Sequence, residues 1–161
     1  PRYTYLPARL IHRTFHPRKN FALIDKGARA GLYPGLGVIA PEGVVGIIAE
    51  TTATYSVVYP LFHQGLHVTA ELPLHGVYGS TSWKGQVLNQ LSLDFIPLYI
   101  QVKEGEEVWT GPSTIFPAGL RIGRVARVDP DYAGGFYTIT LRTYVDWHRV
   151  WSVYVLVPSS P

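Results

Sequence analysis

Leu120-Arg121-Ile122-Gly123-Arg124-Val125-Ala126-Arg127-Val128 sets the fold class of this chain. Leu120, Ile122 and Arg124 alternate with Arg121, Gly123 and Val125, and the pattern slips once near Gly123, as a β-bulge would make it. Eight residues on, Phe136, Thr138, Thr140 and Arg142 alternate with Tyr137, Ile139 and Leu141, a second strand. Asp129-Pro130-Asp131 and Gly134-Gly135 lie between them, residue types that build turns. The same period of two recurs at Tyr3–Arg13, Phe21–Asp25, Val44–Glu50, Ser56–Leu61, His67–Leu72, Leu98–Val102 and Trp151–Val157, each bounded by Gly, Pro, Asn or Asp. The one segment with helical character is short, near Gln86–Leu91. Short strands at regular spacing predict an all-β protein built as barrels or sandwiches.

A weak internal repeat divides these strands. Pro41-Glu42-Gly43-Val44-Val45-Gly46-Ile47-Ile48 is similar to Pro117-Ala118-Gly119-Leu120-Arg121-Ile122-Gly123-Arg124, with Lys26-Gly27 and Lys103-Glu104-Gly105 upstream of the two copies. A duplicated β unit is the expectation: two small tandem β-barrels in a chymotrypsin-like arrangement, residues 1–63 and 64–158, with strand exchange between them left open. Each unit alone has a thin core and must lean on its neighbour.

Composition narrows the chemistry. Apolar residues make up 47% and charged residues 16%, which is globular and not disordered. With no cysteine, thiolate catalysis, disulfides and Cys-based zinc sites are excluded. No apolar run is long enough to span a membrane as a helix. The chain starts at Pro1 and contains no Met, so a trimmed fragment is expected, with any anchor outside this sequence. A net charge of +3 fits an anionic partner or surface. The densest basic cluster, Arg9, His12, Arg13, His16, Arg18 and Lys19, reads first as a solvated sheet edge.

Catalytic patterns are weak. Ser113 in Thr110-Gly111-Pro112-Ser113-Thr114 is the best serine nucleophile, but Pro112 removes a backbone donor from the loop and Thr114 stands where the chymotrypsin-like proteases have Gly. Gly-x-Ser-x-Gly does not occur. His63, His67, His75 and Glu71 cluster in sequence, but Gly65 breaks any helix that would bring the imidazoles to one face. Asp129–Asp131 lacks calcium-loop spacing, and Gly31, Gly35 and Gly37 are followed by neither Gly-Lys-Ser/Thr nor a helix. No catalytic residue, cofactor or metal is expected.

Aromatic residues stand out instead. In the last strand, the period of two puts Trp147 and Trp151 on one face with Arg149 between them, placed to form a cation–π stack with Trp. That face is either the core of the second barrel or, with Tyr3 and Tyr5, an anchor surface for a protein partner, since interface centres favour Trp, Tyr and Arg.

Five segments in order resemble the MreC family of rod-shape-determining proteins. They are Lys26-Gly27 through Gly43-Val44-Val45-Gly46; Ser56-Val57-Val58 with Pro60-Leu61; Gly79-Ser80-Thr81-Ser82-Trp83-Lys84-Gly85; Ser113-Thr114-Ile115-Phe116-Pro117-Ala118-Gly119; and Val145-Asp146-Trp147 with Val153-Tyr154-Val155. Gly111-Pro112 departs from the serine-glycine of many members. The resemblance implies a membrane-anchored periplasmic scaffold of the cell-elongation machinery: a short cytoplasmic start, one transmembrane helix, a coiled coil, then two barrels that lack catalytic residues. It implies that the scaffold organises peptidoglycan synthesis to keep cells rod-shaped. Its implied partners are the class B penicillin-binding protein, RodA, MreD and MreB, with self-association into dimers or filaments and no nucleic acid. Two other classes compete: a secreted double-barrel hydrolase using Ser113, and a nucleic-acid-binding barrel using the basic cluster with Tyr3, Tyr5 and Phe15.

Overall fold

The computed structural model describes residues 2–159. Its strands are β1 (Tyr3–Arg13), β2 (Ala22–Ile24), β3 (Gly37–Ala40), β4 (Gly43–Thr51), β5 (Ser56–Pro60), β6 (Thr69–Leu72), β7 (Val77–Ser82), β8 (Gln90–Asp94), β9 (Glu107–Thr110), β10 (Arg121–Asp131), β11 (Phe136–Thr143) and β12 (Ser152–Pro158), with a single 3-10 turn at Ala28–Ala30. They close into two six-stranded barrels, β1-β12-β3-β4-β5-β2 and β10-β11-β8-β7-β6-β9, with every neighbouring pair antiparallel. Alternation in sequence becomes alternation in burial: β5 buries Ser56, Val58 and Pro60, and β11 buries Ile139, Leu141 and Thr143. Closure gives every strand a partner on each side over part of its length; Tyr3–Ala8 of β1 and Arg127–Asp131 of β10 run on beyond the second partner and pair on one side only.

The two barrels have the same wiring. Going round the rings, β12-β3-β4-β5-β2-β1 matches β6-β9-β10-β11-β8-β7 strand for strand. The second barrel uses six consecutive strands. The first uses five, and β12 from the far end of the chain takes the place before β1. Residue 63 falls between β5 and β6, but residues 152–158 belong to the first barrel and not to the second: β12 pairs with β1 and β3, an exchange of the kind the sequence left open. Without them β1 and β3 would expose unpaired edges.

The repeat is real but sits one position out of the sequence register: Gly46 corresponds to Gly123, not to Ile122. β4 bulges at Val45 against β3, and β10 bulges at Ile122 against β9. β4 bulges again at Ala49 against β5, and β10 again at Ala126 against β11. In each copy the glycine follows the first bulge, and the neighbouring strand crosses directly over its Cα. A Cβ on Gly46 would overlap the Tyr59 carbonyl oxygen, and one on Gly123 would overlap that of Arg142.

The barrels share one continuous apolar core. At the seam, Phe116 from the loop before β10 is buried against Gly37 of β3, where a Cβ would come within 2.6 Å of the ring. Ser113 and Thr110 shape that loop. Ser113 Oγ accepts from the Ile115 and Phe116 amides at 3.2 and 3.1 Å. Thr110 Oγ1 donates to the Pro117 carbonyl at 2.7 Å. Where the chain crosses between barrels and later returns, Trp83, Phe62 and Trp147 form an edge-to-face series with centroids 6.4 and 6.3 Å apart. Asn20 closes the joint from the first barrel. Fully buried, it donates to the His16 and Phe62 carbonyls and accepts from Thr14 Oγ1 and the His16 amide.

Two local expectations are overturned. Gln86–Leu91 is not a helix: Gln86 and Asn89 take φ of 67° and 63°, and from Gln90 the chain is β8, paired to β11. Leu98–Val102 is not a strand but a turn, and Tyr137 Oη donates to the carbonyls of Leu98 and Ile100.

Candidate functional site

The residues nominated as catalytic or metal-binding are engaged locally. Ser113 Oγ shapes its own loop, as above. His63 Nδ1 lies 2.7 Å from the Asn20 carbonyl with its ring stacked on Tyr59, His67 Nδ1 lies 3.1 Å from the Thr81 carbonyl, and His75 Nε2 meets the buried Glu106 carboxylate at 3.0 Å. The three imidazoles thus serve three separate contacts. Among the described residues no group of three or more His, Asp or Glu side chains is arranged to hold a metal, and no helix is long and apolar enough to cross a membrane.

The five nominated contact residues do not make one surface. Tyr3 and Tyr5 sit at the start of β1 opposite Pro158 and Leu156, whereas Trp151 precedes β12 beside the other end of β1. Trp151 lies level with Leu10, five positions along β1 from Tyr5, which at about 3.3 Å per residue sets the two backbones some 17 Å apart. Tyr3 is half-buried against the core. Tyr5 is exposed and, with Tyr154, Pro41, Leu120 and Arg121, lines a cleft of about 390 Å³ between the barrels.

Trp147 is fully buried. It cannot share a strand face with Trp151, because residues 144–150 turn before β12 begins; the amides of Arg149 and Val150 both donate to the Asp146 carbonyl at 3.0 Å. The turn sends Trp147 inward, where its Nε1 donates to the Thr14 carbonyl at 2.8 Å. Arg149 swings into solvent, with Nε 3.8 Å from Asp146. The cation stacked on Trp151 is Arg13, whose guanidinium carbon lies 4.3 Å from the exposed ring's centroid and whose Nη1 donates to the Trp147 carbonyl at 2.6 Å. Burial pulls the Arg13 guanidinium below its usual range, and Asp146 partly opposes this.

An aromatic and basic face grows around this stack. A bulge at Ile11, where Leu10 pairs with Ile24 but His12 with Leu23, breaks the inward–outward alternation and leaves both Ile11 and His12 outside. Phe15 continues past β1 and stacks on His148 with centroids 5.3 Å apart, and Phe21 packs near His12. Ile11, Phe15, Phe21 and Trp151 are between 38% and 59% exposed, so this is an apolar surface in water. Segments 9–21 and 146–151 carry five cations, Arg9, Arg13, Arg18, Lys19 and Arg149, against one carboxylate, Asp146. Arg13 and Phe15 were visible in the sequence as a basic cluster and an isolated ring. His148 and Phe21 were missed, because only the fold brings residues 12–21 and 146–151 together.

Asp146 anchors the returning turn. Its Oδ1 accepts from the His148 amide and from Asn89 Nδ2, both at 3.0 Å. The His148 amide is the main reason its carboxyl is held below the usual carboxylate range; burial opposes the shift, and Asn89 adds to it. A carboxyl depressed in the folded state stabilises the turn above its unfolded value of about 4. That contribution is lost as pH falls through the lower folded value. Acidification below about pH 4 should therefore loosen residues 146–151, seen as a change in Trp fluorescence, and Asp146→Asn should flatten that step. An unchanged step in the variant would reject this role.

The model of the family described as "Rod shape-determining protein MreC, barrel core" matches residues 10–157. This chain belongs to the MreC family. The Cell shape-determining protein MreC of Listeria monocytogenes is 27% identical over 98% of this chain, which spans about half (55%) of that protein's length. The solved Listeria MreC structure superposes with a TM-score of 0.86 at 27% identity, covering 98% of this chain and 77% of that one. A complex between Penicillin-Binding Protein (PBP2) and MreC from Helicobacter pylori contains a chain with a TM-score of 0.73 at 17% identity, covering 98% of this chain and all of that one, a likeness of fold. The likeness to the Listeria MreC structure covers both closed barrels.

Proposed function

We propose that this chain is the extracytoplasmic barrel region of a cell-shape scaffold, held at the membrane by a segment outside this sequence. In this reading it binds a class B penicillin-binding protein and organises peptidoglycan synthesis without catalysing a reaction itself. The observation that carries the reading is the exposed aromatic surface on a closed, doubly barrelled frame. Where the barrels are closed, strand addition is blocked, and a partner is recruited through side-chain surfaces. Such surfaces centre on Trp, Tyr and Arg. The Helicobacter pylori complex of PBP2 with MreC supports the class of partner. RodA, MreD, MreB and self-association into dimers or filaments belong to the same reading. The scaffold acts on its enzyme only by binding one conformation better than another.

Calorimetric titration with the extracytoplasmic part of the class B penicillin-binding protein from the same cell tests this. A saturable heat with Kd near 1 μM, about −8 kcal/mol, is expected. Absence of heat at 100 μM of both proteins overturns the assignment of this partner to the barrels.

A further inference from the structure

The face built from residues 9–21 and 146–151 has three features that solvent alone does not require. The first is apolar: Ile11, Phe15, Phe21 and Trp151 expose large side chains on one side of the first barrel, where an isolated exposed ring would need no explanation but a group does. The second is rigidity. Trp151 is held by the Arg13 guanidinium at 4.3 Å and by its carbonyl, which accepts from the Leu10 amide at 2.8 Å. Phe15 is held by the His148 ring, and His148 by Asp146, 3.3 Å from its Nδ1. Rings fixed before binding lose little freedom when a partner covers them. The third is charge: Arg13 stacks on Trp151, Arg18 and Lys19 follow Phe15 in a loop where their amides donate to His16 Nδ1, and Arg149 shares the turn of His148, while Asp146 is already engaged by Asn89 and the His148 amide and Asp25 by the Arg9 amide.

We infer that this face is the docking surface for an acidic protein segment that carries an aromatic or large apolar residue. The apolar residue packs on Trp151 and Phe15, and its acidic neighbours face Arg18, Lys19 and Arg149. Charge complementarity selects the occupant: a second copy of this face would set its cations against the same cations, so a symmetric pairing here is disfavoured. The inference rests on the scaffold reading for the identity of the partner, but the surface itself is a separate claim.

Two titrations of the same protein test it. In the first, the class B penicillin-binding protein's extracytoplasmic part is titrated against Trp151→Ala and against the double variant Arg18→Glu/Arg149→Glu. All three side chains are exposed, so folding is expected to survive, and the melting temperature checks this. Each variant should weaken binding at least 30-fold, and raising salt from 50 to 300 mM should weaken the unaltered protein several-fold. The control Lys103→Glu/Arg127→Glu, with the same charge change on the second barrel, should bind as the unaltered protein does. If the enzyme binds and the variants and salt leave its affinity unchanged, this surface is wrong while the scaffold reading stands.

In the second titration the probe is a synthetic peptide of alternating Glu and Tyr, followed by NMR. Shifts centred on Trp151 Nε1–H, His148 and Phe15 support the surface even if the enzyme does not bind, in which case the scaffold reading alone falls. Shifts elsewhere, or none at millimolar peptide, overturn the surface. So does tighter binding of inorganic polyphosphate or duplex DNA than of the peptide at this face, which would assign it to an anionic polymer.

Discussion

Gly46→Ala lowers the stability of this protein by about 3 kcal/mol or more, at the upper end of what overpacking a core costs. The added methyl would meet backbone only: it overlaps the Tyr59 carbonyl oxygen and lies 2.7 Å from Pro60 Cα. No side-chain rotation relieves a clash with backbone, so β4 and β5 must separate where Gly46 pairs with Pro60. Gly123→Ala in the second barrel has the same effect, because its methyl overlaps the Arg142 carbonyl oxygen and lies 3.1 Å from Thr143 Cα. Since one core runs through both barrels, either variant shifts a single cooperative urea transition. A Gly46→Ala protein with an unchanged midpoint would refute the packing argument. Two resolved transitions would refute the single unit.

Trp147→Ala costs about 3–5 kcal/mol, the range for deleting a buried Trp. The ring is fully buried, packs edge-to-face on Phe62, and gives its N–H to the Thr14 carbonyl. Its loss opens a cavity at the joint where the chain crosses between barrels and strips a partner from a backbone acceptor. Trp151→Ala, four residues on, costs less than about 1 kcal/mol, because that ring is exposed and loses mainly its stack with Arg13. Denaturation of the two variants side by side decides it; equal losses would mean that Trp147 is no more part of the core than Trp151. The pair also separates stability from recognition: Trp147→Ala affects a partner only through the fold, and Trp151→Ala affects it directly.

The contrast between these two tryptophans shows where the sequence was legible. A period of two from Trp147 to Trp151 places both rings and Arg149 on one face, and that rule holds only while the chain is extended. The backbone turns at Asp146, whose carbonyl collects two amides, and the turn separates the rings. The missed strands have a similar cause. β3 is buried at every position and so shows no alternation, and β7 carries Ser and Thr that hide its pattern. The helical reading of Gln86–Leu91 failed because Asn89, at positive φ, breaks the run before β8.

By itself the sequence determined that this chain is all-β, cysteine-free and built from two related units, and that its segment order is that of the MreC family. These properties are local: residue type, a two-residue period, turn chemistry and the order of short motifs survive without knowledge of what touches what. Only the tertiary structure decided that β12 completes the first barrel, that the repeat aligns Gly46 with Gly123, and that Arg13 and not Arg149 stacks on Trp151. Each of these depends on contacts between residues more than 75 positions apart, or on a bulge that shifts register by one. Strand alternation records which face a residue takes, but it carries no information about which strand lies opposite.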